Sequence, residues 1–550
     1  MNKFDENVLE VVADCQDYYF KGEYVNIPCL EIPAYVYSRL YCDPSTYFTG
    51  YFNEQSKIKF KKDIKFEYTL KDIEEFHCRF EYESGLKNDG FRFKITKNHI
   101  VIKSSNDRGY LYAIRYINSL ITEHENKIYL PIIEVTHTPT LRVRGVLEGF
   151  YGTPWTQEER LDEVDFMSVN KMNSFMYAPK NDPYHREKWA VEYPEKELIQ
   201  LREIIRKCQE QYIDFYYAIS PGNDINYTNI NELKKIMNKF NQVIEVGVNK
   251  FVLLLDDIDY DLKGDTKIKF GSSGIAHAYL ANQIYDLLKE SLSVFELMLC
   301  PTEYMQTFET QYKKDLNENL NPKIAIMWTG PSIIPWSIHK KDVQFSAKQY
   351  NRELLIWDNV PCNDYLDKRM LSLTPYLNRT KELDKFNHIG IFSNAMLEWE
   401  ASKITLSTMA NYMWNSSSYN PIVSFKKSLK SIEPCMYEEL MSFCEHHQNT
   451  AVYYTVPLHI ADAIESGKKD VITKEIEKLV NLSEKLQGMS NKKLLSILMP
   501  WFEQIKAEML IWTHINDGTF KENEYNQLKD AKVIISSQFI LKYYEKNIKK

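Results

Sequence analysis

Apolar and polar positions follow three successive patterns along the chain. In the first, Phe91-Arg92-Phe93-Lys94-Ile95 alternates, Lys97-Asn98 turns, and Ile100-Val101-Ile102-Lys103 alternates again. Alternation with period two on both sides of a turn predicts a hairpin with one buried face. Ser104, Ser105 and Asn106 offer helix caps, and Arg108 to Ile121 then carries Leu111, Ile114, Ile117, Leu120 and Ile121 at helical spacing. A small α/β domain over 1–138 is expected, with HTPTLRVRG from His137 as the crossing to the next domain.

The second pattern, over about 141–415, is a series of short continuous apolar runs separated by helical stretches. The runs are 144–147, 174–177, 215–219, 251–255, 295–299, 324–328, 354–357 and 388–392. A strand buried on both faces reads as an unbroken apolar run, which is the mark of a parallel sheet. Eight such runs alternating with helices is what a (β/α)8 barrel needs. A doubly wound sheet normally opens on a glycine-rich phosphate turn, and no GxGxxG follows the first run. The prediction is an α/β protein with a (β/α)8 TIM barrel over 139–420.

The third pattern begins where strand signals stop. Residues 435–448, 458–467, 472–488, 492–517 and 524–548 read as amphipathic helices, giving an α-helical C-terminal domain over 421–550. Trp501, Phe502, Ile505, Met509 and Trp512 fall on one broad helical face. A bundle core is the first expectation for such a face, and a substrate platform or homodimer surface the sharper one.

Composition narrows the class of partner. The chain has 550 residues, 44% apolar and 13% aromatic, enough for two or three packed domains. The net charge of −8, with both signs well mixed, argues against a nucleic-acid surface and against attraction to an anionic membrane. No stretch is long and apolar enough to span a bilayer, and MNKFDENVLEVVADCQDYYF lacks the plan of a signal peptide. The nine cysteines are scattered without a CxxC pair, so reduced thiols in a cytoplasmic protein are expected, with no metal and no cofactor.

In such a barrel the chemistry gathers where strands end. Run one leads into Glu148-Gly149-Phe150-Tyr151-Gly152, run two into Ala178-Pro179-Lys180-Asn181-Asp182, and run three into Ser220-Pro221-Gly222. Run five reaches Thr302-Glu303-Tyr304, run seven ends Asp358-Asn359 with Asp364 beyond, and run eight ends Ser393-Asn394. A single polar residue there is an ordinary solvated turn; several converging at one rim are not. Run four ends in Asp256-Asp257. Two carboxylates so close cannot both ionise cheaply, so one of them should titrate high and serve as an acid. A helix cap and a divalent-metal site are the competing readings, the latter kept open by Asp182, Asp358 and Asp364.

Adjacency also limits mechanism. Ordinary glycosidases place their carboxylates about 5 Å or more apart across the scissile bond. Neighbouring residues have Cα atoms about 3.8 Å apart and come from one wall, so they do not easily flank a sugar. One can be the acid while the other holds a substrate group that attacks in place of an enzyme nucleophile; a 2-acetamido group is one candidate.

Eight segments carry a resemblance: RGVLEGFYGTPWTQEER, NSFMYAPKNDPYHREKW, YAISPGNDI, FVLLLDDID, LCPTEYMQTF, IMWTGP, IWDNVPCNDY and FSNAMLEWEASKI. Together, and in order, they closely resemble the family 84 glycoside hydrolases, the O-GlcNAcases and their bacterial β-N-acetylglucosaminidase relatives. The likeness runs through the barrel, is looser over the first domain, and holds only by position and type for the helical tail. It implies a retaining, exo-acting enzyme with an oxazoline intermediate. Asp256 would hold the acetamido N–H, and Asp257 would act as general acid and then base. Tyr304 would bond the acetamido oxygen, with Asn359 near the same group and Trp357 in the pocket wall. Gly149 would approach the sugar through its backbone, Lys180 would contact a ring hydroxyl, and Asp364 with Asn394 would bind the hydroxyls at positions 4 and 6.

Other residues have plainer expectations. Trp155 and Trp189 are expected to pack, Trp328 to lie between core and wall, and Glu148 to be buried and paired beneath the floor. The stretch 260–275 reads as a loop. IWDNVPCNDY and LCPTEY look more like the animal cytosolic enzymes than the secreted bacterial pattern, whereas richness in Lys, Asn and Ile suggests a low-GC bacterial genome. The resemblance implies an N-acetylglucosamine-bearing substrate, either protein O-linked sugar or glycan, cell-wall or hyaluronan-derived oligosaccharides. A sugar-binding relative without turnover and a metal-dependent hydrolase are the remaining readings.

Overall fold

The computed structural model describes residues 8, 11–12, 15, 17–27, 51–52, 56–57, 66–69, 77–97, 99–124, 127–364, 368–447 and 456–549. The N-terminal sheet contains β1 (Asp17–Ile27), followed in the chain by a separate two-stranded pair, β2 (Tyr51–Phe52) and β3 (Ser56–Lys57). It continues with β4 (Phe66–Thr69), β5 (His77–Tyr82), β6 (Phe91–Ile95), β7 (His99–Ser104), β8 (Thr122–His124) and β9 (Lys127–His137). The order is β1-β9-β6-β7-β5-β4, with β8 on β9, and only β5 and β7 run parallel. The hairpin read from the alternation is β6–β7, with Phe93 opposite Ile102; Phe91, Phe93, Ile95, Ile100 and Ile102 are buried, and Asn98 of its turn lies outside the described residues. Asn106 caps the following helix, Asp107–Ser119, by accepting from Gly109 N–H.

A closed barrel follows, in the order β10 (Val143–Glu148), β11 (Ser174–Tyr177), β12 (Asp214–Ile219), β13 (Lys250–Leu254), β14 (Glu296–Cys300), β15 (Ala325–Trp328), β16 (Leu354–Asp358) and β17 (His388–Asn394). All eight pairings are parallel, and β17 closes onto β10. Each strand coincides with a predicted apolar run to within two residues at either end, for a physical reason. In β13, Val252 and Leu254 fill the barrel interior with Met176, Met298 and Leu355, while Phe251 and Leu253 pack outward against the helices. With both faces covered, neither set of positions can be polar.

The N-terminal sheet is fastened to the barrel through charge as well as packing. Asp89 is almost fully buried and binds Arg144 (2.7 Å) from β10, Arg108 (3.2 Å) and Asn173 Nδ2 (2.9 Å). Trp414, at the end of the helix Trp399–Trp414, enters the core of the sheet beside Phe91.

The remaining helices are Pro421–Ile432, Tyr437–Cys444, Leu458–Ser466, Lys469–Leu486, Lys492–Asp517, Glu522–Lys529 and Phe539–Asn547. Trp501, Phe502, Ile505 and Trp512 are buried in their common core, with Met509 packed against it, so this face is a bundle core. Two expectations are corrected. The single helix over 524–548 is two helices, because Ser536, Ser537 and Gln538 all take left-handed backbone (φ 40°, 54° and 60°) between them. The stretch 260–275 is not wholly loop: Gly264–Phe270 forms a short helix, and Ser273 begins the next. Among the described residues no helix is long and apolar enough to cross a membrane.

Candidate active site

The C-terminal rim of the barrel surrounds a pocket of about 310 Å3. Gly149, Lys180, Asp256, Asp257, Tyr304, Trp357, Asn359, Asp364 and Asn394 all line it, so the residues to which the resemblance gave a catalytic or binding role come to one place. Tyr151, Cys300, Thr329, Ile333, Ile334 and Cys362 complete the lining.

The two adjacent carboxylates are turned to different surroundings. The ladder of β13 is prolonged by Leu255 N–H donating to Cys300 O (2.9 Å), and Asp256 follows, 5% exposed. Lys180 Nζ donates to Asp256 Oδ2 at 2.6 Å, while Oδ1 is buried and has no partner among the described residues. Asp257 then takes φ 52°, a left-handed conformation uncommon for a residue with a side chain. Its carboxylate is exposed and accepts from Tyr151 Oη (2.9 Å, on Oδ2) and Tyr304 Oη (3.2 Å, on Oδ1). One peptide unit thus delivers a buried carboxyl group to the floor and an accessible one to the wall.

Electrostatics sharpen the division. Burial pushes the Asp256 carboxyl upward, but the neighbouring Lys180 ammonium outweighs it and holds the group below the usual carboxylate range. This corrects the expectation of a raised carboxyl as far as Asp256 is concerned; the lysine, rather than the neighbouring aspartate, sets its charge. Burial lowers Lys180 in turn, and Asp256 more than restores it, so the pair is ionic. The Tyr304 phenol is pushed far up by burial and by Asp257 and Asp256, which keeps it a donor.

The opposite wall is a chain of amides. Asn394 Oδ1 accepts from Gly149 N–H (3.2 Å), and its Nδ2 donates to Asn359 Oδ1 (2.9 Å). Asn359 Oδ1 also accepts from Trp357 Nε1 (2.8 Å), and its Nδ2 donates to Ile333 O (2.9 Å). Gly149 has no room for a side chain: a Cβ would lie 2.1 Å from Leu147 Cδ1 and 2.9 Å from Trp357 Cζ2. Asp364 accepts from Tyr151 N–H (2.5 Å) and Cys362 Sγ–H (3.1 Å).

Residues left outside the pocket have other partners. Glu148 is buried and bonded by Arg160 (2.7 and 2.9 Å) and Trp155 N–H (2.9 Å), as expected for a paired carboxylate beneath the floor. Asp182 accepts from Tyr177 and Tyr193 hydroxyls, and Asp358 binds Arg379 and Tyr376, so neither reaches the pocket. Trp155, Trp189 and Trp328 are all core residues, which settles Trp328 as packing. Thr329 stands in the IMWTGP segment and Tyr151 in the first loop, so both had a local signal in the sequence. Arg186, whose guanidinium reaches Tyr151 and the backbone of Asp257, stands within NSFMYAPKNDPYHREKW but nine residues past the end of β11, where nothing marked it as a pocket residue.

An eight-stranded parallel barrel whose rim holds a carboxylate pair, tyrosine donors and an amide wall around one pocket is the arrangement of a barrel-enzyme active site. The chain belongs to the beta-N-acetylglucosaminidase family, whose profile matches residues 144–445. It is 36% identical over 284 residues to the protein O-GlcNAcases of Rattus norvegicus and Mus musculus, a match covering 50% of this chain and 30% of theirs. Among solved structures it resembles CpGH84B, with TM-score 0.78 and 27% identity over 96% of this chain and 99% of that one. It also resembles an O-GlcNAc hydrolase variant from Thermobaculum terrenum, with TM-score 0.68 and 26% identity over 74% of this chain and 94% of that one.

Proposed function

We propose that the protein is a retaining, exo-acting β-N-acetylglucosaminidase in which the substrate's own 2-acetamido group is the nucleophile. The observation that carries this reading is the parting of Asp256 and Asp257. A buried carboxylate with one oxygen on Lys180 and the other without a partner among the described residues suits an acetamido N–H. An exposed carboxylate next to it suits proton transfer to a leaving oxygen.

Protonated Asp257 gives its proton to the glycosidic oxygen, and the C1–O bond breaks with its electron pair going to that oxygen. The acetamido carbonyl oxygen forms the new bond to C1, and Asp256 takes up the positive charge that develops at N–H. Water then attacks C1, loses its proton to Asp257, and the C1–oxazoline bond breaks, so configuration is retained after two inversions. Tyr304 donates to the acetamido oxygen, and Trp357 forms the wall behind it. Asp364 and Asn394 bind the hydroxyls at positions 4 and 6, which admits only a terminal sugar. Serine- or threonine-linked N-acetylglucosamine on proteins is the proposed substrate, in the cytoplasm, supported by likeness to proteins named for that activity.

The test is release of N-acetylglucosamine from an aryl glycoside, a glycopeptide and an oligosaccharide. Asp257→Asn is expected to lose about 10²–10⁴-fold on the aryl substrate. Near wild-type turnover by Asp256→Asn and Asp257→Asn alike would overturn the assignment.

A further inference from the structure

Asp257 occupies an exposed place on a left-handed backbone, a poor starting point for a group that must hold hydrogen-bond geometry. Left-handed conformations of non-glycine residues persist where the surroundings over-determine them. Here the surroundings are a closed ring of three residues. Arg186 Nη2 donates to the backbone oxygen of Asp257 at 3.0 Å, and Arg186 Nη1 donates to Tyr151 Oη at 2.7 Å. Tyr151 Oη donates to Asp257 Oδ2 at 2.9 Å, so the ring returns to the residue where it began.

The donor directions matter. A guanidinium only donates, so Arg186 occupies a lone pair of the tyrosine oxygen and leaves its hydrogen for Asp257. Arg186 itself stands on an anchored turn. The preceding His185 is buried, with Nδ1 on Ala218 O (3.0 Å) and its carbonyl accepting from Ser220 N–H (3.0 Å). The other end of Tyr151 is fixed too, its N–H donating to Asp364 at 2.5 Å. One residue therefore joins the carboxylate proposed to grip the sugar hydroxyls to the one proposed to move the proton.

We infer that Arg186 is a positioning residue for Asp257, acting on its backbone directly and on its carboxylate through Tyr151. This rests on the reading of Asp257 as general acid. Without Arg186, the peptide after the left-handed residue loses its donor, the tyrosine hydroxyl is free to rotate, and the acid swings. The defect belongs to proton delivery, so it grows as the leaving group becomes a poorer anion.

Arg186→Ala and Tyr151→Phe in the full chain test this against aryl N-acetylglucosaminides of graded phenol acidity and a serine glycoside. Expected for both is a loss of kcat of about 10–100-fold on the serine glycoside, about half of the full acid contribution on a logarithmic scale, shrinking to under about threefold on the dinitrophenyl glycoside. KM and the affinity for free N-acetylglucosamine stay within about threefold, and Arg186→Lys recovers part of the loss, since an ammonium reaches one acceptor but not both. An equal loss across the series with weakened sugar binding marks a merely structural role and overturns the inference, as does an undiminished serine-glycoside rate. Wild-type protein that released no sugar would overturn the hydrolase reading itself, an outcome separate from any difference between variants.

Discussion

Burial alone pushes the Asp256 carboxyl upward, and Lys180 at 2.6 Å more than reverses the push. The sign has a consequence for activity. A carboxylate depressed in the folded protein stays ionised as pH falls below its unfolded value, and is lost only at its folded one. Replacing Lys180 with Met removes the depressing charge and leaves burial unopposed. The acid limb of the kcat/KM profile is expected to move to higher pH in Lys180→Met, alongside any general loss of binding. A limb that stays in place would show that Lys180 does not set the charge of Asp256. At this scale the sequence was informative where a residue stood close to a strand end. Asp256, Asn359 and Asn394 lie within two residues of one, and Tyr304 lies four residues beyond β14. Arg186 has no such address: it reaches Asp257 from the middle of a loop, and nothing in local spacing announces a contact 71 residues away. The adjacency of two carboxylates was visible, but the lysine that decides the charge of one of them comes from another strand end, 76 residues distant.

Strands and helices depend on close backbone approach at a few points. Gly390 of β17 lies against β10, where a Cβ would meet Val143 O at 2.2 Å and Val143 Cβ at 2.4 Å. Neither atom is the end of a flexible chain. Gly390→Ala is therefore expected to destabilise by about 1–3 kcal/mol, read as a lower urea midpoint. Gly85, whose added Cβ would meet nothing within 4 Å, is the control, and Gly85→Ala should stay within about 0.5 kcal/mol of wild type. A Gly390→Ala midpoint equal to that control would contradict the packing described. Elements buried on both faces were the easiest to read, since apolar runs such as Phe251–Leu255 allow little else. Helix ends were harder. The break at Ser536-Ser537-Gln538 involves neither glycine nor proline, and its left-handed backbone is held by tertiary contacts, among them Ser536 N–H on His446 O at 3.1 Å. The helix Pro421–Ile432 carries good local signals, an Asn420 cap and Pro421 in its first turn, yet stood outside the predicted helices.

Among the described residues an N-terminal sheet and a helical bundle pack their own cores beside the barrel, and not all of the buried groups serve the site. Glu508 lies in the helical core with Oε1 accepting from Gln504 (3.0 Å) and Oε2 without a partner among the described residues. Burial pushes it up to about 7. Its folded value exceeds its unfolded one, so the folded state binds the extra proton and stability falls as pH rises between the two. Glu508→Gln should thus raise the unfolding temperature at pH 8, with the gain shrinking toward zero near pH 4.5, the ordinary value for this group. A gain independent of pH would contradict that origin.

The central claim is that Asp256 and Asp257 are adjacent because the sugar brings its own nucleophile. The measurement that bears on it most directly is kcat/KM for aryl N-acetylglucosaminides whose acetyl methyl carries zero, one, two or three fluorines. Fluorine withdraws electron density from the carbonyl oxygen and leaves the aryl group unchanged. If that oxygen attacks C1, the rate falls steeply at each step, on the order of a thousandfold or more across the series, or about 4 kcal/mol in the barrier. A rate nearly independent of fluorination would mean that an enzyme group or water attacks instead, and would contradict the division of labour between the two aspartates.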